Sequence, residues 1–271
     1  FATKLNKANY MKTVIVPVDF SETSLHAAKY AAQLLTGHYG VSMILYHSYG
    51  KAAEAEKAKE SLEHLKATLI KDNIVDIEVL AHEDSDFVDG LEKTARHRSA
   101  DLVIMGITGK SAIAQVLFGS NTLKMAERKV CPVLIVPQNA SINPVKHVML
   151  TSDFKNTVDS TPSAPIKKFL DMVSAQLHIV NVDSEHYISL TEAYEKEKQE
   201  MKQMFAAYNP EFYFMRLYDI DEAINLFAES RNIDLIIAVQ KNHSFIVKLL
   251  STSRTKALAY HSQVPIMIMH E

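Results

Sequence analysis

The chain contains two copies of one sequence pattern, and this repeat constrains the fold more than any other feature. Its period is about 133 residues. Three blocks of the first half recur in the second: VIVPVDF at 14–20 as VMLTSDF at 148–154, ADLVIMG at 100–106 as IDLIIAV at 233–239, and CPVLIVP at 131–137 as VPIMIMH at 264–270. Because the three blocks agree to within one residue, we infer two units of the same fold, with Asp19 aligned on Asp153.

Within each copy, apolar runs alternate with helical patterns. In the first copy, strands are predicted at 13–18, 42–47, 76–81, 101–105 and 132–136. Helices are predicted between the N-cap Ser21 and Gly37, and at 51–71, 86–98 and 118–129, with second-copy helices at 163–174 and 190–208. Strands joined by helices form parallel sheets with right-handed crossovers. The predicted fold class is therefore α/β, with two tandem doubly wound open parallel sheets of five strands each and helices on both faces.

The repeat also predicts the domain boundaries. The only evident linker runs from Pro137 to Pro144 and is rich in Asn and Ser. We therefore expect a first domain at 12–138, a linker at 139–145 and a second domain at 146–271. Residues 1–11 are expected to be an N-terminal tail or an expression remnant.

Composition excludes several classes of protein. A net charge of -3 argues against a nucleic-acid partner, and no apolar run reaches the roughly 18 residues of a membrane span. The single cysteine, Cys131, fits a reducing compartment, so we expect a cytoplasmic protein. The twelve histidines show no metal-ligand spacing such as H-E-x-x-H, so we expect no metal held by the protein alone.

The residues that indicate a ligand follow the fourth strand. Three of the seven glycines of the chain lie there, in MGITGKS at 105–111 and GSNT at 119–122, and none follows Gly119. Glycines allow a ligand to approach the backbone, and the free N–H groups at a helix N-terminus bind phosphate. Ser120 and Thr122 add hydroxyl donors, and Lys110 can screen phosphate charge. The alternative interpretation is a strand-to-helix turn that needs glycine for its geometry alone.

Two common phosphate-binding motifs do not fit this loop. The P-loop motif G-x-x-x-x-G-K-[ST] ends as Gly109-Lys110-Ser111 does, but it requires glycine where this chain has Ile104. The motif G-x-G-x-x-G is also missing, and no glycine follows the first strand.

The loop instead resembles the ATP-binding signature of the universal stress protein family, in the spacing Gly106-x2-Gly109-x9-Gly119-Ser120. VIVPVDFSETS at 14–24 and VCPVLIVP at 130–137 are similar to that family as well. The resemblance covers 12–138, with a degenerate counterpart at 146–270. It implies strand order 3-2-1-4-5 and ATP at the switch between the first and fourth strands.

The resemblance also implies the residues of the ATP site. Those beside the adenine and ribose include Asp19 and Ser48, and those around the ribose and phosphates begin at Met105. Together with Lys110, the predicted ATP-binding residues are Pro17, Val18, Asp19, Ser48, Met105, Gly106, Gly109, Lys110, Gly119, Ser120, Asn121 and Thr122. Mg²⁺ or Mn²⁺ is expected to screen the phosphates.

The chain departs from the family pattern in two places. Thr108 stands where the family often has His or Arg before the second glycine. In the second copy, Val239, Asn242 and Thr252 replace the three glycines. Side chains at these positions are expected to block approach to phosphate, so we expect one ATP per chain.

Three functions are consistent with these features. The first is a cytoplasmic regulatory protein of the stress response that binds ATP and an unknown protein partner. The second is a slow ATPase or self-phosphorylating enzyme with Ser111, Ser120 or Thr122 as acceptor, and the third is a scaffold with a vestigial site. No Asp, Glu or His lies within 105–122, so we expect negligible turnover. His47 and Asp19 form a possible base and orienting pair, but a packing or purine-contact role for His47 is favoured.

The last strand of each copy suggests that the second half covers an apolar sheet edge of the first. In the family order, Val133–Val136 and Ile266–Met269 lie at the edge of their sheets, and an apolar edge invites pairing. Family members with one domain commonly dimerise through this strand. We therefore expect the two halves to pack as an intramolecular pseudo-twofold dimer with these strands adjacent, and a homodimer is also possible.

Overall fold

The computed structural model describes residues 10–107, 119–183, 192–216, 220–240 and 263–271. The strands are β1 Thr13–Pro17, β2 Ser42–Tyr49, β3 Asp76–Glu83, β4 Leu102–Ile107, β5 Val133–Pro137, β6 His147–Thr151, β7 Gln176–Asp183, β8 Glu211–Arg216, β9 Leu235–Gln240 and β10 Ile266–His270. The helices are α1 Glu22–Leu35, α2 Ala55–Leu69, α3 Phe87–His97, α4 Gly119–Glu127, α5 Thr157–Ser160, α6 Ser163–Val173, α7 Glu192–Met204 and α8 Ile220–Ser230. Short 3₁₀ turns occupy Ala52–Glu54 and Ala206–Tyr208. No helix among these residues is long and apolar enough to cross a membrane.

The strands form one continuous sheet in the order β3-β2-β1-β4-β5-β10-β9-β6-β7-β8. All described neighbours are parallel except β5 and β10, which are antiparallel. The α/β class and the order 3-2-1-4-5 are therefore confirmed in the first half, and the second half has the same order. The two expected sheets are the halves of one sheet because their last strands pair.

The pairing of β5 with β10 is symmetric. Leu134 lies opposite Met267, the residue that the repeat aligns with it, and Ile135 and Val133 lie opposite Ile266 and Ile268. This register is the one that a twofold axis through the Leu134–Met267 pair requires. All six side chains are buried, so each apolar edge is covered by the other half.

One aspartate in each half anchors the start of the first strand. The Oδ2 atom of Asp101 accepts hydrogen bonds from the backbone N–H of Lys12 at 2.7 Å and of Thr13 at 3.3 Å. The Oδ2 atom of Asp234 accepts the equivalent bonds from Lys146 and His147. The aspartates of the repeated ADL and IDL blocks therefore have the same structural role in both halves.

The first helix of the two halves differs. Ser21 caps α1, its Oγ accepting from the backbone N–H of Ser24 at 3.3 Å, and α1 runs without a break. In the second half, the chain makes the single turn α5, breaks at Pro162 and continues as α6. Proline lacks the N–H that a helix needs and restricts the residue before it, which explains the break. The predicted helix at 163–174 is confirmed, whereas α5 was not predicted.

Candidate functional site

A cleft of about 260 Å³ opens at the carboxyl ends of β1 and β4. Parallel α/β sheets bind ligands at this place, where the strand order reverses direction. The lining residues come from the end of β1, the start of α1, α3 and α4, and the end of β4: Pro17, Val18, Asp19, Ser21, Thr23, Ser24, Phe87, Met105, Gly106, Asn121 and Thr122.

Seven of the twelve sequence-predicted site residues lie together in this cleft: Pro17, Val18, Asp19, Met105, Gly106, Asn121 and Thr122. Gly109 and Lys110 lie outside the described residues. Gly119 and Ser120 are placed only as the first residues of α4. Ser48, the twelfth, lies on β2 and does not line the described cleft.

Asp19 is the exposed carboxylate of the cleft. Its Oδ1 accepts hydrogen bonds from the backbone N–H of Ser21 at 3.0 Å and from Ser21 Oγ at 2.6 Å. Partial burial raises the pKa of Asp19, but the hydrogen bonds from Ser21 and Ser24 outweigh that effect and hold the pKa below its usual value. The carboxylate is therefore ionised at neutral pH and acts as a hydrogen-bond acceptor.

His47 lies beside this loop, at the end of β2. Its Nδ1 donates to the carbonyl oxygen of Val18 at 2.6 Å, and its ring lies 5.0 Å from that of Phe20. This hydrogen bond to Val18 fixes the orientation of the imidazole ring and occupies its Nδ1 atom. This geometry supports a packing role for His47 and gives no support to a base and orienting pair with Asp19.

Gly106 has a packing reason to be glycine. A Cβ atom at this position would lie 2.5 Å from the carbonyl oxygen of Thr23 and 2.9 Å from its carbonyl carbon. The first turn of α1 thus crosses β4 so closely that no side chain fits between them. At this position, the alternative interpretation of glycine as a geometric requirement is supported.

The first turn of α4 faces the cleft. Thr122 is buried, and its Oγ1 donates to the carbonyl oxygen of Gly106 at 3.4 Å, whereas Asn121 is exposed. The first backbone N–H groups of a helix have no partner within the helix, and its dipole favours an anion there. This end of the cleft is suited to phosphate or another anion.

Four lining residues were missed as ligand contacts by the sequence: Ser21, Thr23, Ser24 and Phe87. The first three belong to the VIVPVDFSETS block at 14–24, so the resemblance itself contained the signal. Phe87 begins α3, and nothing in the sequence indicates that α3 reaches the cleft.

At the corresponding corner of the second half, two described side chains differ from those that border the cleft. Val239 is buried at the position of Gly106. Glu197 of α7 accepts hydrogen bonds at the start of α5, from the backbone N–H of Thr157 at 2.7 Å and from its Oγ1 at 2.6 Å. Asp153 keeps the local turn of Asp19, its Oδ1 accepting from the backbone N–H of Lys155 at 3.1 Å.

The described residues contain no group of three or more His, Cys, Asp or Glu that could hold a metal ion.

Comparison with known proteins matches both halves of the chain. The model of the universal stress protein family matches residues 11–137 and 171–270. A universal stress protein of Methanocaldococcus jannaschii is 26% identical over 145 residues, covering 48% of this chain and 85% of the relative. Another from Thermus aquaticus is 26% identical over 137 residues, covering 46% of this chain and 98% of the relative.

Solved structures share the fold over nearly the whole chain. A universal stress protein from Archaeoglobus fulgidus has a TM-score of 0.68 at 19% identity, covering 96% of both chains. A functionally unknown protein from Pseudomonas aeruginosa has a TM-score of 0.65 at 12% identity, covering 96% of this chain and 92% of that one.

Proposed function

The chain belongs to the universal stress protein family, and we propose that its first half binds ATP as part of a regulatory role in the stress response. The observation that carries the proposal is the cleft itself. It lies at the switch between β1 and β4 and combines apolar walls, an ionised acceptor at Asp19 and the N-terminus of α4.

Each part of the cleft suits one part of a nucleotide. Pro17, Val18, Phe87 and Met105 give apolar surface for a base and ribose, and Asp19 can accept hydrogen bonds from their N–H or O–H groups. The free N–H groups at the start of α4 suit the phosphates. The cleft is smaller than the roughly 300–1,000 Å³ of most ligand sites, so we expect the phosphates to extend beyond it.

Mg²⁺ or Mn²⁺ accompanies ATP in this proposal. Asp19 and Asn121 supply oxygen atoms, the ligand type that these cations prefer. With no group of three protein ligands among the described residues, we expect the cation to bind mainly through the phosphates and water.

Binding is favoured over hydrolysis. Among the described lining residues, Asp19 is the only carboxylate, and hydrogen bonds lower its pKa. General bases work best with a pKa near the operating pH, so Asp19 is a weak candidate. We therefore propose a binding protein in which any ATPase or self-phosphorylation activity is slow.

The second half is proposed to pack against the first and to bind no nucleotide. Its corner contains Val239 and the bonded carboxylate of Glu197, and its last strand covers β5. In this proposal, the two domains span residues 12–138 and 146–271 and are joined by a linker at 139–145. The buried single cysteine fits the cytoplasm.

Isothermal calorimetry with MgATP tests the proposal through a matched pair of variants, Asp19→Asn and Asp153→Asn. We expect one site per chain, about tenfold weaker in Asp19→Asn because a hydrogen bond to a charged group is worth roughly 1.5–3 kcal/mol. Asp153→Asn makes the same change in the second half and should leave affinity unchanged. Two equivalent sites, no binding, or equal effects of the two variants would reject the proposal.

A further inference from the structure

A polar network lies behind the Phe87 wall of the cleft. At its centre is Asp84, whose side chain is only 9% exposed at the turn between β3 and α3. Its Oδ2 accepts a hydrogen bond from the phenol of the fully buried Tyr46, and its Oδ1 lies 3.1 Å from Nδ1 of His82. Burial and the bond to Asp84 raise the pKa of Tyr46, while the hydroxyls of Ser48 and Thr94 act in the opposite direction. Ser48 therefore lies near the phenol of Tyr46.

The helix beside Asp84 is adapted to its carboxylate. Gly90 lies inside α3, where glycine is the least favoured residue after proline. A Cβ atom at Gly90 would lie 2.2 Å from Cγ and from Oδ2 of Asp84. Alanine at this position would therefore displace the carboxylate, and glycine is explained by the space that Asp84 needs.

The second half lacks this arrangement. At the positions of Tyr46, Asp84 and Gly90, its sequence has Val180, Leu217 and Ala223. Alanine thus occurs in the helix of the half without the aspartate. The network occurs in the half that contains the cleft described above.

Phe87 connects the network to the cleft. It is the first residue of α3, three residues after Asp84, and its ring lies 6.3 Å from the ring of Tyr46. Asp86 caps the same helix, its Oδ1 accepting from the backbone N–H of Asp89 at 2.9 Å. The position of the Phe87 side chain therefore depends on the segment 84–86. Asp84 fixes the start of this segment through Tyr46, and Asp86 fixes its end by capping α3.

We propose that Asp84 is a positioning residue for ligand binding, which holds Phe87 in place as a wall of the cleft through Tyr46 and the start of α3. This inference rests on the proposed function of the cleft and adds a residue that does not itself line it. Without the carboxylate, the buried phenol of Tyr46 loses its acceptor, and the corner that carries Phe87 has no fixed anchor.

The chain has no tryptophan, so Phe87→Trp supplies a single fluorescent reporter in the full-length protein. In this background, acrylamide quenching reports how well residue 87 is packed, whereas calorimetry of the same variants with Phe87 retained gives the MgATP affinity. The first variant is Gly90→Ala, whose Cβ displaces the carboxylate. The second is Asp84→Leu with Gly90→Ala, which introduces the residues of the second half, and the third is the conservative Asp84→Asn.

We expect Gly90→Ala and the double variant to increase quenching relative to the reporter protein and to weaken MgATP binding at least tenfold relative to the unmodified chain. Leucine can fill the vacated space, so the melting temperature of the double variant should exceed that of Gly90→Ala while its affinity stays low. Asp84→Asn keeps an acceptor for Tyr46 and should retain most of the affinity. That separation of stability from affinity is what a merely structural role cannot produce.

The inference is overturned if the double variant recovers parental affinity together with stability, or if quenching is the same in all the proteins. If the unmodified chain fails to bind MgATP, the proposed function is rejected. The quenching data then decide by themselves whether Asp84 positions Phe87.

Discussion

The two halves of the chain share a scaffold and differ at one corner of it. Both have the same strand order, and in both an aspartate binds the N–H groups that begin the first strand. These shared features lie in the sheet and at its amino-terminal end. One set of differences lies at the carboxyl ends of the first and fourth strands, where Val239 is buried at the position of Gly106 and Glu197 accepts hydrogen bonds at the start of α5.

In the second half, the residues at the carboxyl ends of the first and fourth strands differ from those of the first half in several linked ways. A glycine lets α1 approach β4 in the first half, whereas Val239 occupies this place in the second. There the helix is broken, and Glu197 caps its first turn. Partial burial raises the pKa of Glu197, but the hydrogen bonds of Thr157 outweigh this effect and lower it. The second corner thus holds an anion of its own at the helix start.

Aromatic packing differs in the same way. Phe20 and Phe154 are equivalent residues, and both have positive φ, at 64° and 49°. Phe20 is partly exposed and contacts His47, whereas Phe154 is buried among Tyr194, Phe212 and Phe214. The same turn therefore borders an open cleft in one half and an apolar cluster in the other.

The largest effect is expected when the halves are separated. A chain that ends at Asn139 leaves the apolar edge of β5 without β10, and we expect it to dimerise or aggregate at concentrations where the whole chain does not. Sedimentation velocity over a range of concentrations measures this. A separated first half that stays monomeric and keeps its MgATP affinity would show that the second half is not needed to cover that edge.

The next largest effect is expected from exchanging the residue types at Gly106 and Val239, which tests why these equivalent positions differ. Gly106→Val should destabilise the protein by about 3 kcal/mol, since the new side chain meets the backbone of Thr23, which cannot move without α1. Val239→Gly should cost about 2–4 kcal/mol because it removes a buried side chain. Urea unfolding measures both changes.

Gly50→Val is the control for this pair, because a Cβ atom there would meet nothing within 4 Å. It should change the free energy of unfolding by no more than about 0.5 kcal/mol. If Gly106→Val is as harmless as the control, the close approach of α1 to β4 does not explain the glycine.

The repeat and the α/β class could be predicted from the sequence because buried strands appear in it as continuous apolar runs. The continuous apolar runs at 101–105 and 132–136 became the buried strands β4 and β5. The order of the strands cannot be predicted in this way, because it depends on which strands pair and not on the residues within each strand. It came from the family resemblance, and the symmetric junction at Leu134 and Met267 was visible only in the structure.

The cleft was predictable only in part. Residues that lie next to one another in the chain, such as Val18 and Asp19, were found together because one motif contains them. Phe87 was missed because it reaches the cleft through the packing of α3, which no local pattern encodes. The ligand role of Gly106 was inferred from its type, but glycine also meets a packing need there, and only the distance to Thr23 reveals that need.

A smaller effect concerns acid stability at the junction of the halves. Neither ring nitrogen of His270 has a hydrogen-bond partner among the described residues, and burial, with a smaller effect of Lys129, lowers the pKa of His270 to about 4. Because the pKa of His270 is lowered, the contribution of the neutral ring to the free energy of unfolding is fully present above pH 6.5. That stability is lost as the pH falls from 6.5 through about 4.

His270→Leu should remove this acid sensitivity. The full shift corresponds to roughly 3 kcal/mol, which partial exposure to solvent reduces to about 1–2 kcal/mol. We expect the variant to be at least as stable as the parent at pH 7 and less sensitive to pH between 6.5 and 4. Urea midpoints at four pH values measure this, and parallel profiles would contradict it.

The smallest effect concerns a histidine pair that occurs in the second half. His178 is buried where the first half has Ile44, and its Nε2 lies 3.2 Å from Nδ1 of His147. Glu211 Oε2 lies 3.5 Å from Nδ1 of His178, and the charge of Arg231 also acts on the ring. Burial lowers the pKa of His178; Glu211 opposes this, whereas His147 and Arg231 add to it.

His178→Ile introduces the residue of the first half at this position. The pKa of His178 is lowered, so its contribution to stability is present above pH 6.5 and decreases as the pH falls below that value. We therefore expect the variant to lose less stability than the parent between pH 7 and pH 5, as measured by urea midpoints. His64→Ile, at an exposed position on α2, is the control and should leave the pH profile parallel to that of the parent. If His178→Ile also gives a parallel profile, the two halves do not differ in acid sensitivity at this site, and the histidine pair is only a packing variant of Ile44.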